Sequence, residues 1–156
     1  MVVLVFDLDD TLLMSKSYNQ YSDINEHTKL NKYLDNLKCK KFIYTNGIYK
    51  HALYSLNNMK SLNKFDDIFA RDTLDYYKPN MRSYNEVCNK LYYLHNIDNK
   101  NEQIIFFDDL PSNLEMAKKF NWITVWIYPN CNNYNIPNYI DYCFSDILNA
   151  IKSLKI

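Results

Sequence analysis

The chain has 156 residues, 18 basic and 18 acidic, and a formal net charge of zero. That length suits one domain, residues 1–156, with a sizeable core. Neutral charge disfavours a dedicated nucleic-acid or acidic-membrane binder but leaves room for a small phosphorylated substrate, and no apolar run is long enough to suggest a membrane span or a signal peptide.

Val2–Phe6 is a short, Val-rich apolar run that stops abruptly at Asp7, Asp9 and Asp10. Such a run reads as a strand buried on both faces. Met14 to Ser22 is polar and lacks helical period, so it reads as a loop or small hairpin. Leu30, Tyr33, Leu34 and Leu37 recur at helical spacing and predict a helix over about 25–37. Lys40 to Thr45 is a second strand, ending at Asn46-Gly47. A helix follows over about 49–58, then a short strand from Phe65 to Ala70 and a turn through Lys78-Pro79. Tyr84, Val87, Cys88 and Leu91 carry a helix over about 81–95. Gln103 to Phe107 is a fourth buried strand, ending in Asp108-Asp109. Pro111 suits the first turn of a helix running to about Asn121. Ile123 to Tyr128 is a fifth strand, and Tyr142 to Phe144 a short last one. Ser145 is placed to cap a final helix carrying Ile147, Leu148, Ile151 and Leu154. Strands alternating with helices throughout predict an α/β fold: a central parallel sheet with helices on both faces.

The four cysteines, Cys39, Cys88, Cys131 and Cys143, are widely spaced and form no CxxC pair. They read as reduced thiols in a cytoplasmic setting, not as a zinc site. His27, His51 and His95 share no spacing and read as surface or capping residues. Gly47, the single glycine, marks the place where the backbone has least choice, and other tight turns must use Asn or Asp at positive φ. Aromatic richness is mostly core and surface tyrosine. A base-stacking role, if any, would fall on Tyr18, Tyr21 or Tyr134.

Polar residues gather at strand ends: Asp7 with Asp9, Thr45 with Asn46, Asp108 with Asp109, and Lys78 just before a helix. Parallel strands bring such ends to one rim, where ligands of open α/β sheets bind. Four carboxylates, a lysine and a hydroxyl make sense around Mg²⁺ and a phosphate, since that ion takes oxygen ligands. Asp10 reads as structural, and Thr11 as a hydroxyl that hydrogen-bonds back to its loop and orients Asp7.

On these residues the chain resembles the phosphohydrolases of the haloacid dehalogenase (HAD) superfamily. Asp7-Leu8-Asp9-Asp10-Thr11, Thr45-Asn46-Gly47, Lys78-Pro79 and Asp108-Asp109 match its four motifs in order. The resemblance implies a three-layer Rossmann-like domain and Mg²⁺-dependent hydrolysis of phosphomonoesters. It implies Asp7 as nucleophile and Asp9 as general acid and base, with the Asp9 carbonyl on the metal. Thr45 and Lys78 would hold the phosphoryl oxygens, with main-chain N–H groups near Leu8 and Asn46. Asp109 would bind the metal directly, and Asp108 directly or through water.

The segments between the motifs are too short for a cap domain, so an open core is expected. The stretch from Thr45 to Ala52, with Phe65–Phe69, Lys78-Pro79 and Phe107-Asp108-Asp109, is most similar to pyrimidine 5′-nucleotidases. Leu110 stands where those enzymes tend to carry Ser. The expected partner is a phosphorylated small molecule, with no membrane and with nucleic acid disfavoured. The expected state is monomer or homodimer. The alternatives are a phosphatase of a phosphoprotein or nucleic-acid end, and a low-turnover binding or regulatory module.

Overall fold

The computed structural model describes residues 1–14, 24–131 and 135–154. Strand β1 (Val2–Phe6) lies inside a six-stranded sheet, with β2 (Lys40–Tyr44) on one side and β4 (Gln103–Asp108) on the other. Beyond β2 is β3 (Asp67–Phe69), and beyond β4 come β5 (Ile123–Ile127) and β6 (Tyr142–Phe144). The order is β3-β2-β1-β4-β5-β6, and every pairing is parallel. The chain first builds outward from β1 to β3, then returns to the opposite flank of β1. The switch point therefore falls between β1 and β4, where the crevice of an open α/β sheet lies.

The alternation of β1 explains why both faces of the sheet are covered. Leu4 and Phe6 join one apolar cluster, and Val3 and Val5 join the other. The first cluster takes in α1 (Thr28–Asn36), α2 (Tyr49–Asn58) and α5 (Ile147–Ser153), through Leu30, Leu34, Leu56 and Ile151. The second takes in α3 (Met81–His95) and α4 (Pro111–Lys119), through Tyr84, Val87, Leu91 and Leu114. A strand clad on both sides has no polar face, hence the unbroken apolar run. Aromatic side chains fill much of the second layer: Tyr84, Phe106 and Trp122 meet at ring-centroid distances of 5.6–6.4 Å.

Element ends differ from the sequence reading where side chains intervene. α1 begins at Thr28, because the His27 ring accepts a hydrogen bond from the Leu30 N–H. Asp146, not Ser145, caps α5, accepting from the Asn149 N–H at 2.9 Å. Among the described residues the positive-φ positions are Asp10, Lys60, Asn96 and Asn121, and Gly47 is not one of them. Its need is space: a Cβ there would stand 3.0 Å from His51 Cδ2 and 3.3 Å from Thr45 Oγ1. Cys131, shortly after β5, and Cys143, in the neighbouring β6, form a disulfide with Cα atoms 5.9 Å apart. That corrects the reading of four reduced thiols, while Cys39 and Cys88 are free and half-buried.

Between Asp9 and Thr45 the described residues hold α1. Between Gly47 and Lys78 they hold α2, a 3₁₀ turn (Leu62–Lys64) and β3. Neither place carries a cap domain among the described residues. The candidate stacking residues Tyr18, Tyr21 and Tyr134 lie outside the described residues. Among the described residues, no helix is long and apolar enough to cross a membrane.

Candidate functional site

The sheet register brings the strand ends together. Phe6 pairs with Phe107, and the Asp7 N–H extends that ladder by donating to the Phe107 carbonyl at 2.8 Å. Asp7 and Asp108 thus leave adjacent strands side by side at the switch point. Thr45 is set one strand away, its N–H donating to the Phe69 carbonyl at 2.9 Å. Lys78 arrives from the loop before α3. Its ammonium donates to Asp7 Oδ1 at 2.8 Å and to Asp108 Oδ2 at 2.6 Å.

Asn46 is what places that lysine. Its Nδ2 donates to the Lys78 carbonyl and its Oδ1 accepts from the Lys78 N–H, each at 2.9 Å. The stem of Lys78 is buried, and its Nζ sits 5.0 Å from the Tyr44 ring centroid and 5.2 Å from that of Phe106. Burial pushes the phenols of Tyr44 and Tyr84 far up, so both stay neutral around the lysine.

A buried cation needs compensating charge. Burial alone would lower the Lys78 pKa, but Asp108 and Asp7 reverse the effect and raise it. The acids carry the opposite strain. Burial pushes Asp7 up, and Asp108 and Asp109 push further, against the pull of Lys78. Burial, then Asp108 and Asp10, raises Asp109 to about 6. One lysine therefore faces more negative charge than it can neutralise. Asp7, Asp108 and Asp109 offer ligand atoms within 4.8 Å of one another. That set of hard oxygen donors, short of positive charge, fits a divalent cation such as Mg²⁺.

The oxygens are not equivalent. Asp108 Oδ1 accepts from the Leu110 N–H and from Asn113 Nδ2, and Oδ2 accepts from Asn113 Nδ2 and Lys78. Asn113 is buried and is held in turn by Tyr84, whose hydroxyl donates to its carbonyl. Asp108 is thus largely occupied by the protein, while Asp109 is half-buried at the rim.

Asp9 faces the same cavity, of about 260 Å³, with Asp7, Thr45, Asn46, Lys78 and Asp109. Leu8 does not line it, because its side chain is buried in the core. Thr45 Oγ1 accepts from the Gly47 N–H at 3.0 Å. The Thr11 hydroxyl departs from expectation: it is buried and has no hydrogen-bond partner among the described residues. The turn is closed instead by the backbone, with the Leu12 and Leu13 N–H groups donating to the Leu8 carbonyl.

His51 is the residue that the sequence reading passed over. Its Nε2 lies 2.9 and 3.0 Å from the two carboxylate oxygens of Asp9. The signal available was its position, in the first turn of the helix that leaves Thr45-Asn46-Gly47. His27 and His95 stay in capping and packing roles, with His95 paired to Asp67 at 2.9 Å.

The protein is thus an open parallel α/β sheet with an acidic, lysine-bridged centre at its switch point. The haloacid dehalogenase-like hydrolase family matches residues 13–127, and the chain belongs to that family. A comparison with curated proteins returns no match.

Solved structures share the fold. The HAD-hydrolase YfnB from Bacillus subtilis, bound to magnesium, superposes with a TM-score of 0.70 at 16% identity, covering 99% of this chain and 98% of that one. A HAD phosphatase from Thermococcus onnurineus gives 0.67 at 16% identity, over 99% and 98%. The L-2-haloacid dehalogenase from Xanthobacter autotrophicus, with chloropropionic acid covalently bound, gives 0.68 at 14% identity, over 86% and 63%. The chain spans 53% to 63% of the length of the dehalogenases it matches.

Proposed function

We propose that the chain is a Mg²⁺-dependent phosphomonoester hydrolase. The observation that carries this reading is the Lys78 ammonium bridging Asp7 and Asp108 at the switch point, with Asp109 beside them. A lysine and a divalent cation together suit a dianionic phosphoryl group better than a singly charged haloacid. Asp7 and Asp109 would hold the ion directly, with the Asp9 carbonyl. Asp108, whose oxygens are already bonded, would hold it through water. When bound, the ion neutralises phosphoryl charge and polarises the phosphorus–oxygen bonds.

The chain's own residues would then act in two steps. A carboxylate oxygen of Asp7 attacks phosphorus, forming an aspartyl-phosphate as the ester oxygen departs with a proton from Asp9. Asp9 next takes a proton from water, which attacks the same phosphorus and releases inorganic phosphate, restoring Asp7. Thr45, Lys78 and the N–H groups near Leu8 and Asn46 hold the phosphoryl oxygens.

The proposed substrates are small phosphate esters, nucleoside monophosphates among them, because Thr45–Ala52 and Phe107–Asp109 resemble pyrimidine 5′-nucleotidases. The neutral charge disfavours a membrane or nucleic-acid partner, and the proposed state is a monomer or homodimer. A cytoplasmic setting is supported by the free thiols of Cys39 and Cys88, while the Cys131–Cys143 bond argues the other way.

The test is turnover of p-nitrophenyl phosphate with and without Mg²⁺, for wild type and Asp7→Asn. Turnover is expected only with the ion and only in wild type. Equal turnover by both proteins, or dechlorination of 2-chloropropionate without phosphatase activity, would overturn the reading.

A further inference from the structure

Proton transfer to the leaving oxygen falls to Asp9, in the turn that follows β1. Lys78 holds the carboxylates of Asp7 and Asp108 but not that of Asp9, whose side chain is 38% exposed. A half-exposed aspartate left to itself samples several rotamers and loses entropy on settling into one. Here the settling is done by His51. Its Nε2 lies 2.9 Å from Asp9 Oδ1 and 3.0 Å from Oδ2. A carboxylate only accepts, so the Nε2–H donates to both oxygens and fixes the plane of the group. When Asp9 carries its proton on one oxygen, the Nε2–H still has the other to hold.

The surrounding loop is shaped for this contact. His51 sits in the first turn of α2, whose start is pinned by the Tyr49 N–H donating to Asp72 Oδ1 at 2.7 Å. The Gly47 carbonyl accepts from the Arg71 N–H at 3.0 Å, which fixes the backbone beneath the ring. A Cβ on Gly47 would meet His51 Cδ2 at 3.0 Å and Asp9 Oδ2 at 3.5 Å, so the bare glycine is what lets ring and carboxylate close on each other. Asp9 lines the acidic cavity, and His51 is not among the residues lining it.

We propose that His51 is a positioning residue that aims the Asp9 carboxyl into the acidic cavity, and that its effect falls on phosphate esters of aliphatic alcohols, whose leaving oxygen needs a proton. The inference rests on the phosphatase reading and adds a leaving-group class to it. No proton passes through the imidazole. An alkoxide is too basic to depart unaided, so cleavage of an alkyl ester depends on an accurately placed acid, whereas 4-nitrophenolate is a stabilised anion and departs without one. General acid catalysis contributes about a hundred- to ten-thousandfold, and a misplacement of about 1 Å forfeits a large share of such a term.

The test compares kcat/KM, which reports the first phosphoryl transfer, for p-nitrophenyl phosphate and for the fastest of β-glycerophosphate, ribose 5-phosphate and uridine 5′-monophosphate, all with Mg²⁺. His51→Ala is expected to lose at least about tenfold on the alkyl ester, in kcat more than in KM, and less than about threefold on the aryl ester. His51→Gln is expected to recover most of the alkyl-ester rate, because an amide N–H replaces the Nε2–H. Where His51→Ala melts well below wild type, His51→Phe, which fills the space without a donor, takes its place.

A histidine that only supports the fold would slow both esters together, so equal losses overturn the proposal. His51→Gln as slow as His51→Ala also overturns it, since the imidazole would then carry a proton itself. Wild-type turnover of the aryl ester alone would sink the leaving-group class and leave the phosphatase. A crystal structure of His51→Ala supplies a readout that needs no turnover: the Asp9 carboxyl is expected to turn away from the cavity, and an unmoved carboxyl overturns the proposal. If wild type hydrolyses neither ester the phosphatase reading falls, and the Asp9 rotamer still decides what His51 does.

Discussion

At the residue scale, Lys78 and His51 matter most. Lys78 is buried between Asp7 and Asp108, and its removal leaves two carboxylates facing each other with no cation. Lys78→Met should cost about 3–5 kcal/mol in a urea titration of metal-free protein. Adding Asp108→Asn to that variant should recover part of the loss, and an additive double variant would contradict the pairing. Lys78→Arg should not rescue, because a planar guanidinium cannot fit the place of a compact ammonium between the Tyr44 and Phe106 rings. His51 acts through Asp9, whose two oxygens it holds. A hydrogen bond to a charged group contributes about 1.5–3 kcal/mol, so His51→Ala should lower kcat for an alkyl ester by roughly tenfold or more with KM little changed. An unchanged kcat would show that Asp9 is positioned without it.

At the element scale, the site depends on loops tied to one another across the sheet edge. Asn46 follows β2 and clamps the Lys78 peptide through two hydrogen bonds, so the loop before α3 cannot drift from the loop before α2. Asn46→Ala should cost about 1 kcal/mol or more, from the half-buried Lys78 N–H and carbonyl left without these partners. It should also lower turnover by more than the stability loss explains, because Lys78 would no longer be aimed. Chemical denaturation and steady-state kinetics on the same protein separate the two effects. Full activity in a folded Asn46→Ala protein would contradict the clamp. α4 plays the matching role on the other flank, with Asn113 and the Leu110 N–H fixing Asp108.

At the scale of the whole molecule, fold stability and the metal site share the same carboxylates. Asp7 and Asp109 are raised, so in the folded, metal-free protein they keep protons that the unfolded chain has already released. The folded state binds more protons in that window, and stability therefore falls as pH rises. The fall starts near the ordinary carboxylate range of about 4 and passes through about 6 for Asp109, with Asp7 extending it upward. Mg²⁺ binds the charged cluster and opposes the loss by mass action. The melting temperature in EDTA should be lower at pH 8 than at pH 5.5, and Mg²⁺ should raise it more at pH 8. Equal increments at both pH values would argue that the ion binds elsewhere.

Local chemistry made the strands and much of the site legible in the sequence. The short apolar runs of β1, of Phe42–Tyr44 in β2 and of β4 read as strands clad on both faces, and each ends where acids or hydroxyls begin. Periodic Leu and Val positions placed the helices, and the order of strands and helices implied a parallel sheet. Element ends were less legible, because a cap such as His27 or Asp146 is chosen by side-chain geometry that periodicity does not carry. Pairings between distant segments were not legible at all. His51 meeting Asp9, Asn46 holding Lys78 and Cys131 reaching Cys143 all bring together residues far apart in the chain. The sequence by itself determined which residues could do the chemistry, because charge and apolar patterning are local properties. Only the tertiary structure decided which of them meet, because sheet order and register set distances that sequence spacing does not encode.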